Sequence, residues 1–203
     1  MKRRDFINLG MVSAGIAFTK KKGHSMEFYP RASKVKLAVL YGTWYGTARD
    51  AGIWISEGMG GIAHVFDVRE KPDLNQFDHL IIGTAIQGGK GPKTLNSYIK
   101  DNISQIKSKT KGLYVVCGTM GNIPGETQIK GYIDNYLAKI CQVDSPIKQA
   151  FGGRITKRLL TKEDFDGLAS FHKRLKKPFD DYDHLLRWQC MGFGERVLNK
   201  INS

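Results

Sequence analysis

The chain is 203 residues long with a formal net charge of +13, and its composition is 41% apolar and 25% charged. That is ordinary globular material for one domain and a tail, and it excludes a disordered chain. No run of about 18 apolar residues occurs, so no membrane-spanning helix is expected; Cys117, Cys141 and Cys190 lack C-x-x-C spacing, which excludes a disulfide scaffold and an all-cysteine metal site.

The first element is a tail. Residues 1–36 hold nine Lys or Arg against Asp5 and Glu27, a net +7, whereas 37–153 carry +2 and 154–203 carry +4. An excess of 32 basic over 19 acidic residues first suggests nucleic acid or an anionic membrane as partner. More than half of it sits in this short segment, so no nucleic-acid partner is expected. A charged start, Met1 to Asn8, leads into the apolar stretch Leu9–Phe18 and the cluster Lys20-Lys21-Lys22. This is the layout of a secretory signal, too short to cross a bilayer as a helix. Arg3-Arg4 with Phe6 and Ile7 resembles the twin-arginine export motif. The resemblance implies export of a folded protein to the periplasm or the outer face of the cytoplasmic membrane. The rival reading is a basic terminus with no transport role, and an unused signal leaves the protein cytoplasmic. Residues 19–33 read as a linker, with 34–203 as one domain.

From there strands and helices alternate. Val35–Tyr41 is a short apolar run ending at Gly42, as a strand buried on both faces should be. Arg49–Met59 predicts a helix with Ile53, Trp54 and Glu57 a turn apart, stopped by Gly60-Gly61. Ile62–Val68 and His79–Thr84 predict the second and third strands, and Lys93–Ile106 a helix. Leu113–Cys117 predicts the fourth strand and Thr127–Ile140 a helix with Ile129, Ile133, Leu137 and Ile140 on one stripe. Ile147–Ile155 predicts the fifth strand. Lys162–Lys176 and Asp183–Ile201 predict the last helices, parted by Pro178. Five strands joined by helical crossovers imply an α/β fold with a parallel sheet and helices on both faces.

In such a sheet a ligand binds beyond the C-terminal strand ends, where strand order reverses. The first loop, Gly42-Thr43-Trp44-Tyr45-Gly46-Thr47-Ala48, joins a buried strand to a helix start, where backbone N–H groups favour a phosphate. Thr43 and Thr47 add hydroxyls, and Gly46 permits close approach of the backbone. The dinucleotide fingerprint G-x-G-x-x-G is absent. Thr84 to Gly91 fails as a P-loop, lacking the leading Gly and the Ser or Thr. No Asp ends the first strand, against a phospho-acceptor receiver, and no G-x-S-x-G supports a hydrolase.

L-Y-G-T-W-Y-G-T-A-R after the first strand is similar to the FMN-phosphate loop of the flavodoxins. H-L-I-I-G-T-A-I-Q-G-G after the third resembles the segment along one face of their flavin, and V-V-C-G-T-M-G-N after the fourth stands where their third flavin loop does. The resemblance implies a flavodoxin-like fold, a five-stranded parallel sheet of order 2-1-3-4-5, with FMN as cofactor and electron transfer as the role. Carried over, Thr43, Trp44, Tyr45, Gly46, Thr47 and Ala48 would surround the phosphate. Ala85, Ile86, Gln87 and Gly88 would line one side of the isoalloxazine. Thr119, Met120, Gly121 and Asn122 would line the other side or its pyrimidine edge. Two departures stand out: Tyr45 and Ala48 occupy places where flavodoxins carry Thr, and no aromatic brackets the flavin from the second or third loop. The body, at +6, also differs from the acidic flavodoxins.

I-I-G-T-A-I-Q-G-G, with the later F-G-G-R-I and a basic C-terminal part, resembles the flavodoxin-type protoporphyrinogen oxidases that use menaquinone near a membrane. Expected partners are therefore a redox protein or a quinone. Lys173-Arg174 and Lys176-Lys177 read as a solvated helix face, the alternative being that with Arg187, Trp188 and Arg196 they meet an anionic membrane surface or an acidic partner. The remaining residues have plainer readings. The five histidines show no ligand spacing and no metal is expected. His64 and His79 fall on strands, His172 and His184 on helices. Cys117 reads as a buried thiol and Lys90 as a solvated loop residue. No side chain need act as acid, base or nucleophile. The expected function is an exported FMN-binding oxidoreductase or electron carrier. The alternatives are a membrane-associated, quinone-dependent protoporphyrinogen oxidase-like enzyme and a flavin-free binding module that kept the fold.

Overall fold

The computed structural model describes residues 30–118, 124–144 and 146–203. The twin-arginine-like segment lies outside the described residues.

Leu37 to Gly42 is buried at every position, so both of its faces must pack. It forms β1 (Leu37–Gly42) at the interior of a five-stranded parallel sheet with β2 (Ala63–Asp67), β3 (His79–Ala85), β4 (Thr110–Cys117) and β5 (Ile147–Gly152), ordered 2-1-3-4-5 as expected. Alternation sends Leu37, Val39 and Tyr41 to one face, with Ile81, Tyr114, Val116 and Phe151. Ala38 and Leu40 go to the other, with Leu80, Ile82, Leu113 and Val115. Helices α1 (Thr47–Gly58) and α6 (Arg187–Asn202) cover the first face. The second is covered by α2 (Lys93–Asp101), α3 (Ile103–Lys109) and α4, which is α-helical over Glu126–Gln128, π-helical over Ile129–Leu137 and α-helical again over Ala138–Cys141.

α1 and α6 lie almost backbone to backbone. A Cβ on Gly58 would fall 2.1 Å from the Met191 carbonyl oxygen, and one on Gly194 2.2 Å from that of Ile55. That closeness explains the buried face of α1, which is built from Ala48, Ala51, Gly52 and Ile55; Ile53 and Trp54 are only partly buried. Phe193 of α6 meets Tyr114 and Phe151 in an aromatic triad with centroids 6.0–6.4 Å apart.

Four expected elements differ. The helix over Lys93–Ile106 is two helices parted at Asn102, whose backbone leaves the helical region at φ −119° while its side-chain amide donates to the Tyr98 carbonyl at 2.9 Å. The fifth strand stops at Gly152. There Gly153 N–H turns to the Cys117 carbonyl at 2.8 Å, and Arg154–Ile155 (β6) pairs antiparallel with Tyr182–Asp183 (β7) as a separate ribbon. The last helix therefore starts at Arg187, and His184 lies in the extended link before it. Between the two strands of the ribbon α5 (Lys162–Arg174) ends short of Lys176, whose φ of 54° stops it.

Candidate functional site

The loops after β1 and β3 meet beyond the C-terminal strand ends, beside the end of β4, where the order reverses between β1 and β3. A cavity of about 390 Å³ opens there, within the range of small-molecule sites. Its floor is Val116, Cys117 and Gly118 at the end of β4. Trp44, Tyr45 and Thr47 come from the first loop, and Ala85, Ile86, Gln87, Gly88 and Gly89 from the loop after β3.

The first loop turns on Gly46, at φ 88°, whose N–H donates to Thr43 Oγ1 at 3.0 Å. Gly46 is also the N-cap of α1, and no side chain caps that end. The N–H groups of its first turn, Thr47 and Ala48 among them, have no intrahelical acceptor by helix geometry. A phosphate there would take these donors and the positive end of the helix dipole. The Arg49 guanidinium lies 3.8 Å from where a Cβ on Gly46 would stand, and it also donates to Asp50 at 3.1 Å. The loop after β3 is held from the side. Tyr136 of α4 accepts from Gly91 N–H at 2.9 Å and donates to Asn96 at 2.6 Å, while the Gln87 and Lys90 backbones pair in a tight turn.

Seven of the expected residues thus line one cavity: Trp44, Tyr45, Thr47, Ala85, Ile86, Gln87 and Gly88. Thr43 and Gly46 shape the loop without lining the cavity. Ala48 is fully buried beneath it, and its carbonyl accepts from the Tyr114 hydroxyl at 2.8 Å. Thr119, Met120, Gly121 and Asn122 lie outside the described residues. Cys117 is buried as expected, and burial pushes its thiol up to about 12. Lys90 is exposed on its turn.

Sequence reasoning missed the rest of the wall. Tyr132, from the π-helical stretch of α4, faces the cavity, and 156–183 passes over it with Leu160, Leu168, Phe171, His172 and Tyr182. Aromatic rings are therefore present, but they come from α4, α5 and the ribbon. The segment has two ties. At its base Arg154 bridges Asp50 of α1 at 2.6 Å and Asp183 at 2.8 Å. Burial alone would lower the Arg154 pKa, but these two carboxylates outweigh it and raise it. At the far end Asp164 accepts hydrogen bonds from the Tyr45 hydroxyl and, at 2.5 Å, from the Gln87 amide. Thr161 N–H donates to the same Tyr45 oxygen at 3.2 Å. Burial, with Cys117 adding to it, raises the Tyr182 pKa. Among the described residues no cluster of His, Cys, Asp or Glu could hold a metal ion, and no helix is long and apolar enough to cross a membrane.

A switch-point cavity with a glycine-centred anion loop on a 2-1-3-4-5 sheet defines a class of nucleotide-type binding domain. Residues 38–164 match the model of the flavodoxin domain, and the chain belongs to that family. Among solved structures, a flavodoxin from the domain Archaea is 12% identical over 83% of this chain and 100% of its own, with a TM-score of 0.51, and shares the fold. The rubredoxin oxygen:oxidoreductase of Desulfovibrio gigas is 8% identical over 82% of this chain, with a TM-score of 0.49. This chain spans 36% of its length. Flavodoxin 1 of Bacillus cereus is 17% identical over 81% of this chain and 97% of its own, with a TM-score of 0.44. No curated protein matches the chain.

Proposed function

We propose that the chain binds FMN in this cavity and works as an oxidoreductase or electron carrier. The observation that carries the reading is the junction of an uncapped α1 N-terminus, turned by Gly46, with a 390 Å³ cavity at the switch point. The residues fit the group. The first turn of α1 and Arg49 suit a phosphate, and the apolar floor at Val116 with Ile86, Tyr132 and Phe171 suits a flat ring. When bound, FMN supplies the one- and two-electron chemistry. The chain's own residues grip, orient and shield it, and none need act as acid, base or nucleophile. The test is a visible spectrum of the purified protein, then identification of any cofactor released on denaturation. Two flavin bands with FMN released support the reading. A colourless protein that ignores added FMN overturns it in favour of the flavin-free module.

A finer reading is a quinone-dependent, protoporphyrinogen oxidase-like enzyme at an anionic membrane. One surface favours it: Leu159, Phe165, Phe171, Leu175 and Trp188 are large apolar residues left exposed, and Arg158, Lys162, Lys173, Arg174 and Arg187 stand among them in the chain. Steady-state turnover of a porphyrinogen with a quinone acceptor supports it; a reducible bound flavin without turnover leaves a carrier. Export through the twin-arginine-like signal belongs to the same proposal. Replacing Arg3-Arg4 by Lys-Lys should hold the protein in the cytoplasm, and unchanged fractionation rejects it.

A further inference from the structure

The segment 156–183 leaves the sheet and returns without joining either core. None of its residues belongs to the two buried clusters, and His172 is the only buried residue of α5. His172 serves the segment itself: its Nδ1–H donates to the Pro178 carbonyl at 2.7 Å, and its ring lies 5.1 Å from that of Phe179. Elements with so little burial open at low free energy, as binding-site lids do. Two of the attachments of this one are polar and at opposite ends. The Arg154 bridge and the β6–β7 ribbon hold the base. The Asp164 carboxylate, in the first turn of α5, holds the far end to both loops that border the cavity. Its underside carries Leu160, Leu168 and Phe171.

We propose that 156–183 is a latched strap, fastened by Asp164 on Tyr45 and Gln87, which opens to admit a small, flat, largely apolar redox reactant beneath Leu160, Leu168 and Phe171 and shuts out a protein partner. This deepens the flavin reading and rests on it. A cavity of about 390 Å³ suits one ring system, so lifting the strap makes the room a second reactant needs. Among the described residues, Leu168, Phe171 and His172 of α5 lie across the cavity, between the floor at Cys117 and a docking protein. The apolar underside favours a reactant that gives up little hydration on entry.

The test uses the full chain, with and without FMN, as wild type, Asp164→Ala and Asp164→Asn. Amide hydrogen exchange in the apoprotein reads the strap directly. Photoreduced holoprotein mixed with 2-methyl-1,4-naphthoquinone or with a cytochrome c reads access; each quinone takes two electrons from the reduced flavin and two protons, each cytochrome one electron. Wild type should be reoxidised at least tenfold faster by the quinone. Asp164→Ala should raise exchange in α5 at least tenfold, leave β1 unchanged, and speed cytochrome reduction at least fivefold. Asp164→Asn, which keeps one acceptor, should fall between. Exchange that ignores Asp164→Ala, or a wild type that serves cytochrome as fast as quinone, overturns the proposal. A chain that takes up no FMN yet shows the exchange difference removes the flavin reading and leaves the strap standing; one that shows neither removes both.

Discussion

Gly46 is the position where backbone conformation, loop shape and the proposed cofactor grip depend on one residue. Its φ of 88° lies in the left-handed region, which costs an L-residue about 1–2 kcal/mol, and more for a β-branched one. Space is not the constraint, since a Cβ at this position would have Arg49 Nη2 as its nearest neighbour, 3.8 Å away. Gly46→Val therefore tests conformation and not packing. The chain has two responses. It keeps the turn and loses about 1–2 kcal/mol of stability, roughly 2–8 °C in Tm for a domain of this size. Alternatively it rotates to negative φ, breaks the 3.0 Å bond from Gly46 N–H to Thr43 and turns the α1 donors away from the cradle. In the second case the same free energy appears as about a tenfold loss of FMN affinity. Gly46→Asn, which tolerates the left-handed region, should show a fraction of either effect. Urea unfolding by circular dichroism and FMN titration by flavin fluorescence give the two numbers. Val and Asn variants that match wild type in both would refute the cradle.

Other consequences can be measured independently. Cys117, Cys141 and Cys190 are all buried, and burial pushes each thiol from an ordinary value near 9.0 up to about 12. A raised folded pKa gives stability that is whole below pH 9 and lost as pH rises towards 12, because the unfolded chain releases these protons first. Stability should fall between pH 9 and 12 with a limiting slope of about 1.4 kcal/mol per pH unit per thiol, and the triple Cys→Ala variant should flatten that slope in urea titrations. Gly194→Ala puts a methyl 2.2 Å from the Ile55 carbonyl oxygen; forcing α1 and α6 apart should cost about 2–3 kcal/mol or more, read as a lower urea midpoint. Arg154→Ala removes the bridge between Asp50 and Asp183. It should cost about 1–2 kcal/mol and raise amide exchange in the β6–β7 ribbon before the central strands, and uniform exchange would show that the bridge does not hold the base.

The interior of the fold was readable because parallel strands buried on both faces leave unbroken apolar runs. Leu37 to Leu40 and Leu80 to Ile82 announce themselves this way, and their burial follows. Breaks were readable only where the signal was local. Asn102 parts two helices by its own backbone conformation, yet Asn inside an apolar-periodic stretch is common enough to pass unnoticed. The end of β5 depends on a bond from Gly153 to Cys117, distant in sequence, and no pattern within Ile147–Ile155 reports it.

The site divides along the same line. Both described loops could be found from Gly and small polar residues following apolar runs, because strand-to-helix turns must use such residues. The roof could not, since Leu168 and Phe171 read as the apolar stripe of any amphipathic helix until a contact says what that stripe covers. Tyr45 is where the two halves meet. As sequence it is a departure, an aromatic where a flavodoxin carries Thr. In the structure its hydroxyl donates to Asp164 and accepts from Thr161 N–H across a separation of more than a hundred residues. A Thr hydroxyl sits one bond from Cβ and has no such reach. The departure and the strap therefore explain each other: the loop gives up one short donor beside its cradle and gains a long one that fastens the roof.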